Sequence, residues 1–400
     1  MLLGATDHAA RAADLFSGTF TSDGSSTYAS VRTAQDFTAL LTTSGIERLL
    51  PAYTDVSAAS ISASFRGVPA TLSFPSNSTT LQFVVPGAAV NESFTGATRD
   101  DSRDMLIEWL KGQGGSQLSQ ILQLAVATTG VDPVAGNPTS LMSMMGASDF
   151  NSATGIGGPV AATGSGRGSI GLGARFGSYT IGSNDTSVIV APISYTHTFA
   201  NGSALIVDVP LTLLDTNGAQ SYSGSVGVGY RFPVPVPLPA DWQWALTPAL
   251  RFGGVGSIDM GAVGGLWSGS VTSALTAPLR DGTYLTLGNM ISLLRTIPIS
   301  YGGYNVSYEL QNTMYRNGLI LNQRLGEFRG REISASIFAI DTRFTGDALY
   351  VNNYQEYGVF LNAGEPMRLG GLTVPLRAGV TYLNGERGYS GFTVNLGVTF

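Results

Sequence analysis

The chain has 400 residues, 43% of them apolar and only 12% charged, with 52 glycines and no cysteine. Soluble globular chains carry about 25% charged residues, and disordered chains need few apolar residues and many charges. Disorder is therefore excluded for most of the chain, and so are disulfides, thiolate metal sites and a cysteine nucleophile.

The net charge of −6 sits wholly in the first part: residues 1–166 hold 13 acids and 7 bases, whereas residues 167–400 hold 14 of each. No basic patch points to nucleic acid, and no run of 18 apolar residues offers a helical membrane span. The opening MLLGATDHAARAADL carries Asp7 and no basic region ahead of an apolar stretch. It does not read as a signal peptide, and an exported form would have lost its signal.

The N-terminal part mixes helix and strand. Phe37, Leu40, Leu41, Ile46, Leu49 and Leu50 have helical spacing, with a break expected at Gly45. Ser60–Phe74 reads as a hairpin turning at Arg66-Gly67, and Thr80–Val85 as a further strand. Asp100–Lys111 is a strong helix, with Asp100, Asp101 and Asp104 at its positive end, Lys111 at its negative end and Gly112 to stop it. The Asp100–Asp104 run lacks the glycine and terminal glutamate of a calcium loop. Apolar stretches at Gln117–Thr128 and Thr139–Met145 follow, separated by VDPVAGNP. The Gly/Ser/Thr/Ala stretch Thr154–Ser169 reads as a flexible linker. The expected organisation is an N-terminal α/β domain over 1–153, a linker over 154–169 and a β-domain over 170–400.

From Ile170 onward the pattern alternates with period two, which means strand. Leu205, Val207, Val209, Leu211 and Leu213 share one face, opposite Ile206, Asp208, Pro210 and Thr212. Tyr222, Val226, Val228, Tyr230 and Phe232 oppose Ser221, Ser223, Ser225, Gly227, Gly229 and Arg231. Turn dipeptides punctuate the series: Asn201-Gly202, Asn217-Gly218, Asp281-Gly282, Asn317-Gly318 and Asn384-Gly385. Thirteen strands can be marked between 168 and 400. A closed barrel in which every neighbouring pair is antiparallel has an even number, so twelve are expected, with fourteen next. The region 303–325 is the ambiguous one.

Closing the meander removes its edges. The faces decide its surroundings. The polar faces hold mainly Gly, Ser and Thr, a poor soluble surface but a good lumen. The apolar faces end in aromatics such as Trp242, Trp244, Tyr230, Phe232, Tyr382 and Phe392, as interfacial girdles require. The expected fold is mainly β: a transmembrane antiparallel β-barrel behind a small α/β domain. A soluble β-sandwich is the alternative.

The last ten residues, GFTVNLGVTF, put Phe392, Val394, Leu396, Val398 and Phe400 on one face. This resembles the C-terminal signature of bacterial outer-membrane β-barrel proteins, porin-like or autotransporter-translocator-like, over about residues 168–400. The resemblance implies a location in the bacterial outer membrane, surrounding lipid, and a barrel-assembly machinery that reads the terminal strand.

Arg175, Asp208, Arg231, Arg251 and Arg377 fall on expected lumen faces, and Asp341 and Arg343 are candidates to join them. They read either as ion pairs bracing a plug or as an electropositive constriction for small anionic solutes. Arg324, Glu327, Arg329, Arg331 and Glu332 read as a solvated loop. His197 lies between Thr196 and Thr198 without the serine a hydrolase would need, and reads as a girdle residue. No motif for catalysis, metal or cofactor is present, and neither enzyme activity nor a cofactor is expected.

The leading expectation is a passive outer-membrane channel narrowed by its N-terminal part, with Gln117–Met145 as the candidate plug. The alternatives are an autotransporter-like translocator exporting its N-terminal domain, and a non-conducting structural or adhesive anchor.

Overall fold

The computed structural model describes residues 14–156, 167–301, 303–328, 331–369 and 372–399. Most of the 154–169 linker and the terminal Phe400 lie outside them. The N-terminal part is built on six antiparallel strands: β1 (Phe16–Ser22), β2 (Ser25–Val31), β3 (Ala59–Phe65), β4 (Val68–Phe74), β5 (Thr80–Val85) and β6 (Val90–Thr95). Their spatial order is β2-β1-β3-β4-β5-β6. The β3–β4 hairpin turns at Arg66-Gly67, both at positive φ (51° and 91°), as the sequence reading expects. The β1–β2 hairpin, turning on Asp23-Gly24, and strand β6 are additional to that reading.

One face of this sheet buries Phe16, Phe20, Ile61, Leu72, Phe83 and Phe94. Helices α1 (Ala34–Leu40), α2 (Thr43–Leu49) and α3 (Arg99–Glu108) accompany the sheet. Phe37 of α1 packs against Phe16, Phe20 and Phe65, and Trp109 after α3 against Phe83 and Phe94. The break between α1 and α2 falls at Leu41-Thr42 and not at Gly45. Thr42 starts α2 by accepting the Gly45 N–H at 2.8 Å, a side-chain cap that leaves Gly45 inside the new helix. Helix α3 opens on a reciprocal Thr98/Asp101 capping box. Gly112, at φ 146°, ends the wide turn that follows it. Helices α4 (Gly115–Thr128) and α5 (Leu141–Thr154) complete this part.

The remainder is the barrel. Its strands are β7 (Arg167–Ile181), β8 (Asn184–Thr198), β9 (Ala204–Thr216), β10 (Ala219–Pro233), β11 (Gln243–Ser257), β12 (Ala262–Arg280) and β13 (Thr283–Ile297). After a small hairpin of β14 (Ile299–Tyr301) and β15 (Tyr304–Val306) come β16 (Gln311–Phe328), β17 (Arg331–Gly346), β18 (Asn353–Leu369), β19 (Leu372–Gly385) and β20 (Ser390–Thr399). Each barrel strand pairs antiparallel with the next, and β20 pairs back onto β7, closing twelve strands.

The ambiguous region resolves into one strand and one hairpin. Asn317-Gly318 is not a turn: it lies inside β16, where Asn317 pairs with Asn289 and Gly318 with Gly288. A Cβ on either glycine would come within 2.9 Å of the Phe150 ring. The glycines are there to admit an aromatic side chain from inside the barrel.

The exterior exposes Phe176, Ile189, Leu211, Val226, Leu250, Phe252, Ile291 and Val359, while their strand neighbours point inward. A continuous apolar exterior on a closed sheet is the lipid-facing surface of an outer-membrane β-barrel. Tyr230, Trp242 and Phe392 are exposed on it. His197 shares this outer face and stacks edge-on against Phe199, with 4.8 Å between ring centres.

The two mouths are unequal. Arg167 and Thr399, the first and last described barrel residues, open β7 and close β20 at the same mouth, called here the near mouth. The N-terminal domain sits at the far mouth. There Ala34 N–H donates to the Asp259 carbonyl (2.7 Å), and the Tyr350 and Val351 N–H groups donate to the carbonyls of Val126 and Gly136 (2.9 Å each).

Candidate functional site

The site is the lumen, and α5 occupies it. The chain enters from the far mouth through residues 131–140, all of them buried. Asp132 anchors this entry. Its carboxylate pairs with Arg66 at 3.0 Å and accepts the Val134 N–H at 2.9 Å and the Tyr308 hydroxyl at 3.3 Å. Burial first, and then the neighbouring Asp132 carboxylate, push the Tyr308 phenol well above its ordinary range.

Helix α5 then runs along the wall formed by β9–β13. Its apolar side chains Leu141, Met142, Met145 and Phe150 are buried against Val255, Leu266, Met290, Leu294 and Met314. The expected plug, Gln117–Met145, is therefore displaced along the chain. Helix α4 remains at the far mouth, where Ser119 and Gln123 donate to the carbonyls of Ser307 and Tyr308 (2.8 and 3.1 Å). It is Leu141–Thr154 that fills the barrel. The Met-rich stretch is its first turns, and the small residues after it allow a close fit: Gly146 lies directly against Met314.

Polar contacts fix the helix at two levels. In the middle, Arg251 on β11 donates through Nε to Asp149 (2.8 Å), through Nη2 to Asp208 (2.6 Å) and through Nη1 to Ser225 (3.1 Å). Ser270 donates to the other Asp149 oxygen at 2.9 Å. Arg251 is 0% exposed, so the three charges form a buried cluster shared by wall and helix. At its C-terminal end, Arg377 donates to the Gly155 carbonyl at 2.8 Å and Arg231 to the Ser152 carbonyl at 3.4 Å. Two guanidiniums thus face the negative end of the α5 dipole, where unpaired carbonyls collect.

Arg175, Asp208, Arg231, Arg251 and Arg377 all lie on inward faces. Asp341 and Arg343 do not. On β17 the inward positions are Ser336, Phe338, Ile340, Thr342 and Phe344, all buried, which puts Asp341 and Arg343 outside. The wall is apolar inside at this point because it meets apolar groups of the N-terminal part, so the polar-inside pattern fails locally. Outside, Arg343 Nε meets Asp341 at 2.8 Å and Gln355 donates to Asp341 at 2.9 Å.

Of the assembly-signal positions, Phe392, Val394 and Leu396 are exposed on the exterior, and Val398 shares their alternation on β20. Arg324, Glu327 and Glu332 lie in the strand ends of β16 and β17 at the near mouth and form exposed ion pairs.

Three lumen residues escaped the sequence reading: Asp149, Arg316 and Glu356. Arg316 on β16 is 0% exposed. It pairs with Glu356, donates to Thr342 at 2.8 Å and lies over the Phe150 ring, 5.2 Å from its centre. Counting charge would have pointed to Asp149. Four arginines and one aspartate on the expected lumen faces need acids from elsewhere, and Asp149 is the only acid between Asp132 and the barrel.

No family model matches the chain, and no curated protein matches it. Among solved structures, it is similar to the β-domain of the Bordetella autotransporter BrkA, with 16% identity and a TM-score of 0.44 over 58% of this chain and 98% of that one. It is similar also to the translocator domain of the autotransporter NalP from Neisseria meningitidis, with 13% identity and a TM-score of 0.43 over 64% and 94% of the two chains. An outer-membrane channel from Pseudomonas putida F1 gives 11% identity and a TM-score of 0.41 over 60% and 96%.

Proposed function

We propose that this outer-membrane barrel holds its N-terminal domain on the cell surface, closed by its own helix α5, in the manner of a small translocator whose cargo stays attached. One observation carries the reading. The barrel begins and ends at the near mouth, the N-terminal domain docks at the far mouth, and α5 joins them through the lumen. Bacterial barrels of this type keep short turns on the periplasmic side and longer loops outside. The longest described connection here, 298–310, is at the far mouth and contacts the N-terminal domain. Outer-membrane lipid surrounds the barrel in this account, and an assembly machinery reads β20.

Asp149 and Asp208 are held by Arg251, and Glu356 by Arg316, so these carboxylates serve to brace the plug. The passive-channel reading would require α5 to leave, exposing Arg175, Arg231, Arg251, Arg316 and Arg377 to anionic solutes. Single-channel recording in planar bilayers separates the two. The full-length protein is expected to stay closed, and deletion of residues 1–154 to open it with anion preference. A steady open conductance from the full-length protein contradicts the proposal and restores the channel.

A further inference from the structure

We propose that the lumen contains a binding site for one small inorganic anion, held by Arg175. Every other inward arginine described at the level of α5 has a partner: Arg251 has Asp149 and Asp208, Arg316 has Glu356, and Arg231 and Arg377 have carbonyls of α5. Arg175, midway along β7, is half-buried: its Nε is buried without a hydrogen-bond partner, it forms no ion pair within contact distance among the described residues, and the charges that act on it are Glu356, attracting, and Arg316, repelling. It lines a cavity of about 80 Å³ between α5 and the wall, together with Ser148, Tyr179, Thr212, Ser223 and Glu356. Glu356 belongs to the same cavity, but Arg316 already neutralises it. Arg175, Arg316 and Glu356 together keep one positive charge. Residues 157–166, GGPVAATGSG, contain no charged side chain and cannot supply the missing negative one.

A half-buried guanidinium without an ion-pair partner offers five donors in a fixed plane to an anion that reaches it. The centre of a water-sized group can move through about 80 Å³ of this cavity, several times the ~10–15 Å³ that one water needs on the same measure, so a halide or a phosphate-sized oxyanion fits. Hydroxyl groups of Ser148, Thr212 and Ser223 on its lining can complete the shell. The site is independent of which side of the membrane the N-terminal domain occupies.

The test is thermal unfolding of the full-length protein, folded in detergent, at constant ionic strength in sodium chloride, sodium phosphate or sodium gluconate. Gluconate, a bulky and weakly coordinating anion, is the reference. The wild type is expected to melt about 2–4 °C higher in chloride or phosphate than in gluconate, and the better of the two identifies the occupant. Arg175→Gln should abolish the difference, and Arg324→Gln, at an exposed strand end, should retain it. An equal melting point in all three salts, or an unchanged difference in Arg175→Gln, overturns the proposal and leaves water as the filling. Should Arg175→Gln fail to fold, bromide-soaked crystals of the wild type decide: an anomalous peak beside the Arg175 guanidinium supports the site, and its absence refutes it.

Discussion

Arg251 of β11 and Asp149 of α5 meet at 2.8 Å inside the barrel, so wall and plug share one buried charge cluster with Asp208. Removing one partner of such a cluster leaves uncompensated charge, which costs about 3–5 kcal/mol. Arg251→Ala should therefore loosen α5, lowering the melting temperature of the folded protein and raising its conductance. The triple variant Arg251→Met, Asp149→Leu, Asp208→Leu should recover much of the lost stability, because no ion is left behind. Thermal melts of the two variants side by side check this.

Phe150 lies against Gly288 and Gly318 with no space to spare. Phe150→Ala empties a buried aromatic volume, for which about 3–5 kcal/mol is typical. Gly318→Leu should expel the ring from the other side. Both variants are expected to keep the barrel folded and heat-modifiable while making α5 accessible to protease. Protection of α5 equal to the wild type would show that this contact does not hold the plug.

Val207 faces lipid and Ser223 faces the lumen. Val207→Arg, three residues from the near-mouth end of β9, should impair insertion at a cost below the ~2–4 kcal/mol typical of the bilayer middle, whereas Ser223→Arg should insert normally. The folded fraction in outer-membrane preparations measures the difference.

Tyr308 gives the docking of the N-terminal domain an alkaline limit. Its phenol titrates above the ordinary value in the folded protein because of burial and the Asp132 carboxylate. The neutral form is thus the one the fold favours. The stability it lends is complete below the unfolded pKa of about 10 and is lost as pH rises through the higher folded value. Proteolysis of the N-terminal domain should accelerate above about pH 10, and Tyr308→Phe should flatten that rise.

How much of this was legible in the sequence depended on what each signal reports. Period-two alternation reports facing, so Val207, Ser223 and the arginines of β7, β10, β11 and β19 could be assigned. It fails where the inner wall is apolar, as around Phe338 and Ile340, and there the sequence leaves the facing of Asp341 and Arg343 open. Asn-Gly dipeptides report a need for glycine, and a turn is only one such need. Asn217-Gly218 is a turn with φ of 52° and 88°, but at Gly318 the need is space for Phe150. The plug helix was hardest to place, because α5 is apolar on several sides and so carries weak periodicity. A helix inside a barrel has no solvent face to reveal it.

The sidedness of the N-terminal domain is the central claim, and the absence of native cysteine allows a direct measurement. Single cysteines are placed at Ser62, on the exposed face of the N-terminal sheet, and at Asp281, in the near-mouth turn between β12 and β13. Intact cells are treated with a membrane-impermeant maleimide. Ser62→Cys is expected to be labelled on intact cells, and Asp281→Cys only after the outer membrane is opened. Labelling of Asp281→Cys on intact cells with Ser62→Cys protected would contradict that claim, placing the domain and the far mouth in the periplasm.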